Sequence, residues 1–230
     1  MRRSLRVPAV LMTVVIGTAG AASCSRNSPG PPPASQHPKA AAPEPEPSKT
    51  WTVPRAADLP DHAVAGDERP SFGEADTMAA GYTGKVFLAR LAKDWKLKLD
   101  KPVDQEMPDG KKRTYVHGRG GGGMTVSAGY ADHENLSSLV CRTSTKQSGD
   151  LGFLSACTGL DVAGIDHGKA LAWLAQAEKE TDSLYGEKVA ETGMKEEYVV
   201  SGVFTAGPVV MVLHRAYDTY SLRILGGAVA

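Results

Sequence analysis

The chain has 230 residues, with 26 basic and 26 acidic side chains and 41% hydrophobic residues, which is room for one ordinary domain plus extensions. The first 23 residues hold Arg2, Arg3 and Arg6 and no acid, so the remainder carries 23 basic against 26 acidic residues. A mildly acidic body has no electrostatic reason to seek nucleic acid, and that partner class is set aside.

In chain order, residues 1–23 have the three parts of an export signal. The three arginines form a positive start. Val7 to Ile16 is apolar apart from Pro8 and Thr13, and Gly17 to Ser23 is rich in small residues. The apolar run is shorter than the roughly 20 residues of a spanning helix. Arg2-Arg3-Ser4-Leu5 also has the form of a twin-arginine signal. Ala21-Ala22-Ser23-Cys24 resembles the lipobox of bacterial lipoproteins, with Ala21 where that family usually carries Leu, Val or Ile. The resemblance implies acylation of Cys24, a membrane partner reached through a lipid anchor, and a place on the extracytoplasmic face of the cell membrane. In its abundance of Ala, Gly and Pro the chain is similar to exported lipoproteins of actinobacteria. The rival is a secreted protein cleaved near Ala22.

The cysteines are Cys24, Cys141 and Cys157. With Cys24 acylated, the other two are left as a pair in an oxidising compartment. A Cys141–Cys157 disulfide would close a loop of 15 intervening residues and stabilise the fold by about 3 kcal/mol. No histidine stands at zinc-ligand spacing from them, so no metal site is expected.

Residues 24–70 read as the lipidated cysteine and a tether. Positions 25–70 hold 11 of the 15 prolines, in runs such as Pro29-Gly-Pro-Pro-Pro33 and Pro43-Glu-Pro-Glu-Pro47. Such a stretch cannot bury enough apolar area to offset its ordering entropy, and a disordered spacer with polyproline II character is predicted.

Residues 71–230 are expected to form an α+β domain. Ser71-Phe-Gly-Glu74 has the form of a capping box. Met78, Tyr82, Val86 and Leu91 then recur at helical spacing, predicting a helix over 73–95. A second helix is predicted over 167–183, with Asp166 as its N-cap and Leu171, Leu174, Ala177 and Leu184 on one face. Alternation predicts strands near 96–99, 113–118, 124–130, 137–144, 187–191, 196–204, 208–216 and 221–225, with a turn at Asp109-Gly110. The two halves then follow one plan, a helix and four strands, offset by roughly 84 residues. Tyr115-Val116 corresponds to Tyr198-Val199, and Gly123 to Gly207. Two such units would place both helices on one face of an antiparallel sheet and leave the other face free. This layout is similar, in topology alone, to the tandem plan of secreted β-lactamase-inhibitor proteins.

Gly118 to Gly123 formally contains G-x-G-x-x-G, but a strand follows where a dinucleotide site needs a helix. The glycines read as a hairpin loop, and no cofactor is expected. His37, His62, His117, His133, His167 and His214 are isolated, and no hydrolase elbow, P-loop or H-E-x-x-H is present. His214, Arg215, Tyr217 and Tyr220 cluster near the last hairpin, a composition typical of binding hot spots. Two readings result. The favoured one is a non-catalytic module that binds a protein or small ligand through the open sheet face. The other is an exported hydrolase whose catalytic residues meet only in space.

Overall fold

Period-two alternation along the long strands builds the domain around one antiparallel sheet. The computed structural model describes residues 55, 58–70, 72, 75–107, 110–132, 134–145, 150–194 and 197–227. The expected export signal, Cys24, most of the expected tether, Ser71, Glu74, Asp109 and His133 lie outside the described residues. In chain order the elements are β1 (Val64–Ala65), α1 (Lys85–Asp94), β2 (Lys98–Leu99), β3 (Val103–Glu106), β4 (Lys112–Arg119), β5 (Thr125–Tyr130), β6 (Leu136–Ser144), α2 (Asp150–Thr158), α3 (His167–Thr192), β7 (Tyr198–Val200), β8 (Phe204–Ala206), β9 (Val209–Ala216) and β10 (Thr219–Gly226). The class is α+β.

The sheet order is β1-β7-β9-β10-β6-β5-β4-β2, with β3 also on β4 and β8 also on β9. The two halves of the chain meet where β6 pairs β10, and each half runs outward as a meander. Tyr115-Val116 and Tyr198-Val199 occupy the matching outer strands β4 and β7. Each half is a helix followed by antiparallel strands, but the first has five strands, β2 to β6, where four were expected, and α2 besides, while the second has four, β7 to β10. Val64 and Ala65 pair with Val200 and Val199, so the sheet reaches into the stretch assigned above to the tether.

Register decides what each face buries. Leu213, Leu222, Cys141 and Val126 form one cross-strand row; Met211, Ile224, Leu139 and Ala128 form the next. Both rows belong to one core with Phe87, Leu88 and Leu91 of α1, Phe153 and Leu154 of α2, and Leu174 and Ala177 of α3. Cys141 is disulfide-bonded to Cys157, which ties α2 to β6. All three helices therefore pack on one face of the sheet.

Three expectations need correction. The first helix begins at Lys85, not at 73. Positive φ at Gly81 and Gly84 breaks the helical path. Upstream backbone groups are instead committed to the sheet: Asp76 N–H donates to Gly226, Met78 N–H to Leu136, and Leu136 N–H to Tyr82. The strand expected at 187–191 is the last part of α3, which continues to Thr192 and stops at Gly193, φ 70°. Leu171 is exposed; the buried stripe of α3 is Ala170, Leu174, Ala177 and Thr181. Asp166 does cap α3, its carboxylate accepting from the Lys169 N–H. Gly121–Gly123 form a tight turn, with Gly122 and Gly123 at positive φ, that leads into β5, as a hairpin loop should.

Candidate functional site

Strand residues one step out of phase with the core point to the face on which none of the described helices packs. His214 on β9, Ser221 on β10 and Arg142 on β6 lie side by side in one cross-strand row, with Val200 of β7 beyond His214. Arg223 is two residues along β10 from Ser221 and opposite Val140. It is therefore a diagonal neighbour of Arg142, within reach for side chains of this length. Arg69, beyond β1, sets its guanidinium 5.9 Å from the Tyr198 ring centroid. That ring stacks on His214 with centroids 5.9 Å apart and planes 16° from parallel. Three arginines so gather about the His214 imidazole, beside Ser221.

The cluster is neither solvated throughout nor internally paired. Ser221 keeps 9% of its surface. Its hydroxyl and the Arg223 Nε are buried without a hydrogen-bond partner. Among the described residues, none of Arg69, Arg142 and Arg223 makes an ion pair with a carboxylate. Burial, then the charges of Arg223, Arg69 and Arg142, push the His214 pKa down to about 3. Burial, then Arg142 and Arg69, also lower that of Arg223. His214 is thus a neutral ring at physiological pH, with one nitrogen free to donate. It is too weak a base to activate a hydroxyl near neutrality.

Of the four residues grouped in the sequence, the structure does not make one surface. Arg215 and Tyr220 are on the helix side, where Arg215 Nε donates to Asp182 at 2.8 Å. Its guanidinium lies between Tyr185, 4.3 Å from that ring's centroid, and Tyr220, at 5.2 Å. Arg215 also donates to the Tyr217 carbonyl. Burial first, then Asp182, raises the Tyr220 pKa. This group fastens α3 to the sheet. Tyr217 is exposed on the turn, at φ 44°. His214 alone joins the helix-free site.

Arg69, Arg142, Tyr198, Ser221 and Arg223 were not singled out in the sequence. The available signal was period two: Arg223 sits between Leu222 and Ile224, a charge on the alternate face of an otherwise apolar central strand. On the same face Tyr115 stacks on His117, two residues along β4, with centroids 6.2 Å apart. His167 lies elsewhere, its Nδ1 3.3 Å from the Thr158 carbonyl.

Among the described residues, no group of three His, Cys, Asp or Glu could hold a metal. None of their helices is long and apolar enough to cross a membrane. No family model, curated protein or solved structure matches the chain.

Proposed function

We propose that this chain is an exported, lipid-anchored binding protein that holds an oxyanion-bearing ligand on the helix-free face of its sheet. The observation that carries the reading is the gathering of Arg69, Arg142 and Arg223 about His214, next to the buried hydroxyl of Ser221, with none of the three ion-paired to a described carboxylate. Arg223 is partly buried while Arg69 and Arg142 are exposed, and like charges gathered about a half-buried guanidinium destabilise a fold unless an opposite charge joins them. Guanidinium forks match the oxygens of phosphate, sulfate or carboxylate, and a serine hydroxyl and a neutral imidazole add uncharged donors. The low basicity of His214 favours binding over hydrolysis. The export signal, the lipobox-like Ala21-Ala22-Ser23-Cys24 and the proline-rich stretch after it support anchoring outside the cytoplasm.

Two measurements test the two parts. Titration calorimetry with inorganic phosphate and sulfate, against chloride at equal ionic strength, should give saturable binding that Arg142→Gln with Arg223→Gln removes. Equal weak heats for all three anions would sink the ligand assignment. Mass spectrometry of the membrane fraction should find a mature N-terminus at Cys24 carrying diacylglycerol; an unmodified soluble product would refute the anchor.

A further inference from the structure

The row that holds Ser221 does not end at Arg142. Register carries it across seven strands of the sheet. Arg142 pairs with Thr125 of β5, Thr125 with Arg119 of β4, and Arg119 with Lys98 of β2. In the other direction Ser221 pairs with His214, and His214 with Val200. Directly opposed residues share a face, so Lys98, Arg119 and Arg142 stand in one line with Thr125 and Ser221. Six strand spacings make that line about 29 Å long. Lys98, Arg119 and Arg142 are exposed. Among the described residues none of the three makes an ion pair with a carboxylate. Arg223 lies in the next row, which holds no acid from His117 to Val212. Acids stand at the margins. Asp100 donates its N–H to the His117 carbonyl, Asp67 and Glu68 precede Arg69, and Asp218, in the β9–β10 turn, accepts from the Thr219 hydroxyl.

We propose that this row is the binding track of a linear polyphosphate chain, with Arg142 and Arg223 holding one phosphate and Arg119 and Lys98 those further along. This rests on the oxyanion reading above and gives the ligand its class. A single phosphate neutralises only part of the line, whereas a chain meets all of it. The cations are unevenly spaced, by one strand between Lys98 and Arg119 and by two between Arg119 and Arg142. A chain charged at every unit meets each of them whatever its register, which a polymer with widely spaced charges does not. Single-stranded nucleic acid needs rings on which its bases stack. The one ring of this row, His214, already lies against Tyr198.

The test uses the full chain carrying Cys24→Ala, with orthophosphate, tripolyphosphate and long-chain polyphosphate as calorimetric probes and affinities compared per bound site. Long-chain polyphosphate should bind at least about tenfold more tightly than orthophosphate. Lys98→Gln with Arg119→Gln should remove most of that gain while orthophosphate, held by Arg142 and Arg223, binds as before. The slope of log K against log salt for the long chain should fall by roughly 0.7 for each charge removed. Lys93→Gln with Lys112→Gln takes the same charge from α1 and from the opposite face of β4, and should leave every affinity unchanged. All four positions are exposed, so circular dichroism should report an unchanged fold. Three results would overturn the track and leave the oxyanion site standing: orthophosphate binding with no gain for the chain, a gain that survives loss of Lys98 and Arg119, or an equal loss in the control pair. No binding of any phosphate probe would remove both. Heparin or single-stranded DNA bound more tightly than long-chain polyphosphate, through the same two residues, would assign the row to another polymer and overturn the proposal too.

Discussion

Arg142 and Arg223 lie diagonally across the central β6–β10 pair, on the face that none of the described helices covers, and flank the unpartnered hydroxyl of Ser221. Neither has an acid to offset it among the described residues. Both the proposed ligand chemistry and the first prediction arise from this arrangement.

Removing one charge should relieve repulsion in the free protein while harming binding. Arg223→Met keeps an apolar stem of similar length. It is expected to leave unliganded stability unchanged or to raise it by up to about 1 kcal/mol. The same variant should lose the melting-temperature increase that sulfate gives the wild type. Thermal unfolding with and without sulfate reads both effects. A large loss of stability without anion would mean that Arg223 is structural.

His214 makes stability depend on pH in a stated direction. Its pKa is about 3 in the fold and near 6.5 in the unfolded chain. Between these values the unfolded chain binds the extra proton, so stability falls as pH drops from about 6.5 towards 3. The slope from this group is at most about 1.4 kcal/mol per pH unit. Denaturant titrations across that window should show a shallower slope in His214→Gln. A bound oxyanion should also flatten it, by favouring the imidazolium.

The Cys141–Cys157 bond joins two buried residues across the layer between sheet and helix. Replacing both with Ala removes the crosslink, and loss of the 16-residue closure should cost about 3 kcal/mol. Urea unfolding with and without reductant should show the wild type destabilised by reduction and the double variant indifferent to it.

Arg215→Lys separates the helix-side cluster from the candidate site. Lysine keeps the charge beside Asp182 but loses the planar fork and the contacts with Tyr185 and Tyr220. A loss of about 1–2 kcal/mol in urea unfolding is expected, with anion affinity unchanged.

Two glycines should respond in opposite senses to alanine. At Gly226 an added Cβ would sit 2.6 Å from both the Asp76 carbonyl oxygen and the Met78 nitrogen, where backbone cannot yield cheaply. Gly226→Ala should cost several kcal/mol, on the order of other overpacked sites. At Gly186, within α3, nothing lies within 4 Å of that Cβ. Gly186→Ala should stabilise by about 0.5–1 kcal/mol. Melting temperatures of the two variants check the pair.

What could be read from the sequence depended on whether local pattern and tertiary environment agreed. Of the five long strands, β4, β5, β6 and β10 were legible through alternation between the core and the helix-free face, and β9 through its continuous apolar run Val209–Leu213. Asp166 was legible as a cap because capping is a contact three residues long. The 73–95 helix was misjudged because Met78 and Tyr82 bury at helical spacing without being helical, their backbone bonds going to Leu136. The end of α3 was misjudged because Glu187, Lys188 and Glu191 carry no apolar stripe. Its helical support is local, as in the Lys188–Glu191 pair at 3.1 Å, and the stop signal was Gly193.

The candidate site shows the same division more sharply. The reading of an export signal, a lipobox-like cysteine and a proline-rich spacer rests on the sequence alone, because such signals are contiguous patterns along the chain. It also marked Cys141 and Cys157 as a pair by arithmetic, and the structure joins them. His214 and Arg215, adjacent in sequence, were grouped together there. Tertiary structure sent them to opposite faces, because successive residues of a strand point opposite ways. Only the sheet register could bring Arg69, Arg142 and Arg223, scattered over 155 positions of the chain, around one serine. Which strands pair, and in what register, is decided by the long-range packing of the shared core and not by any local motif.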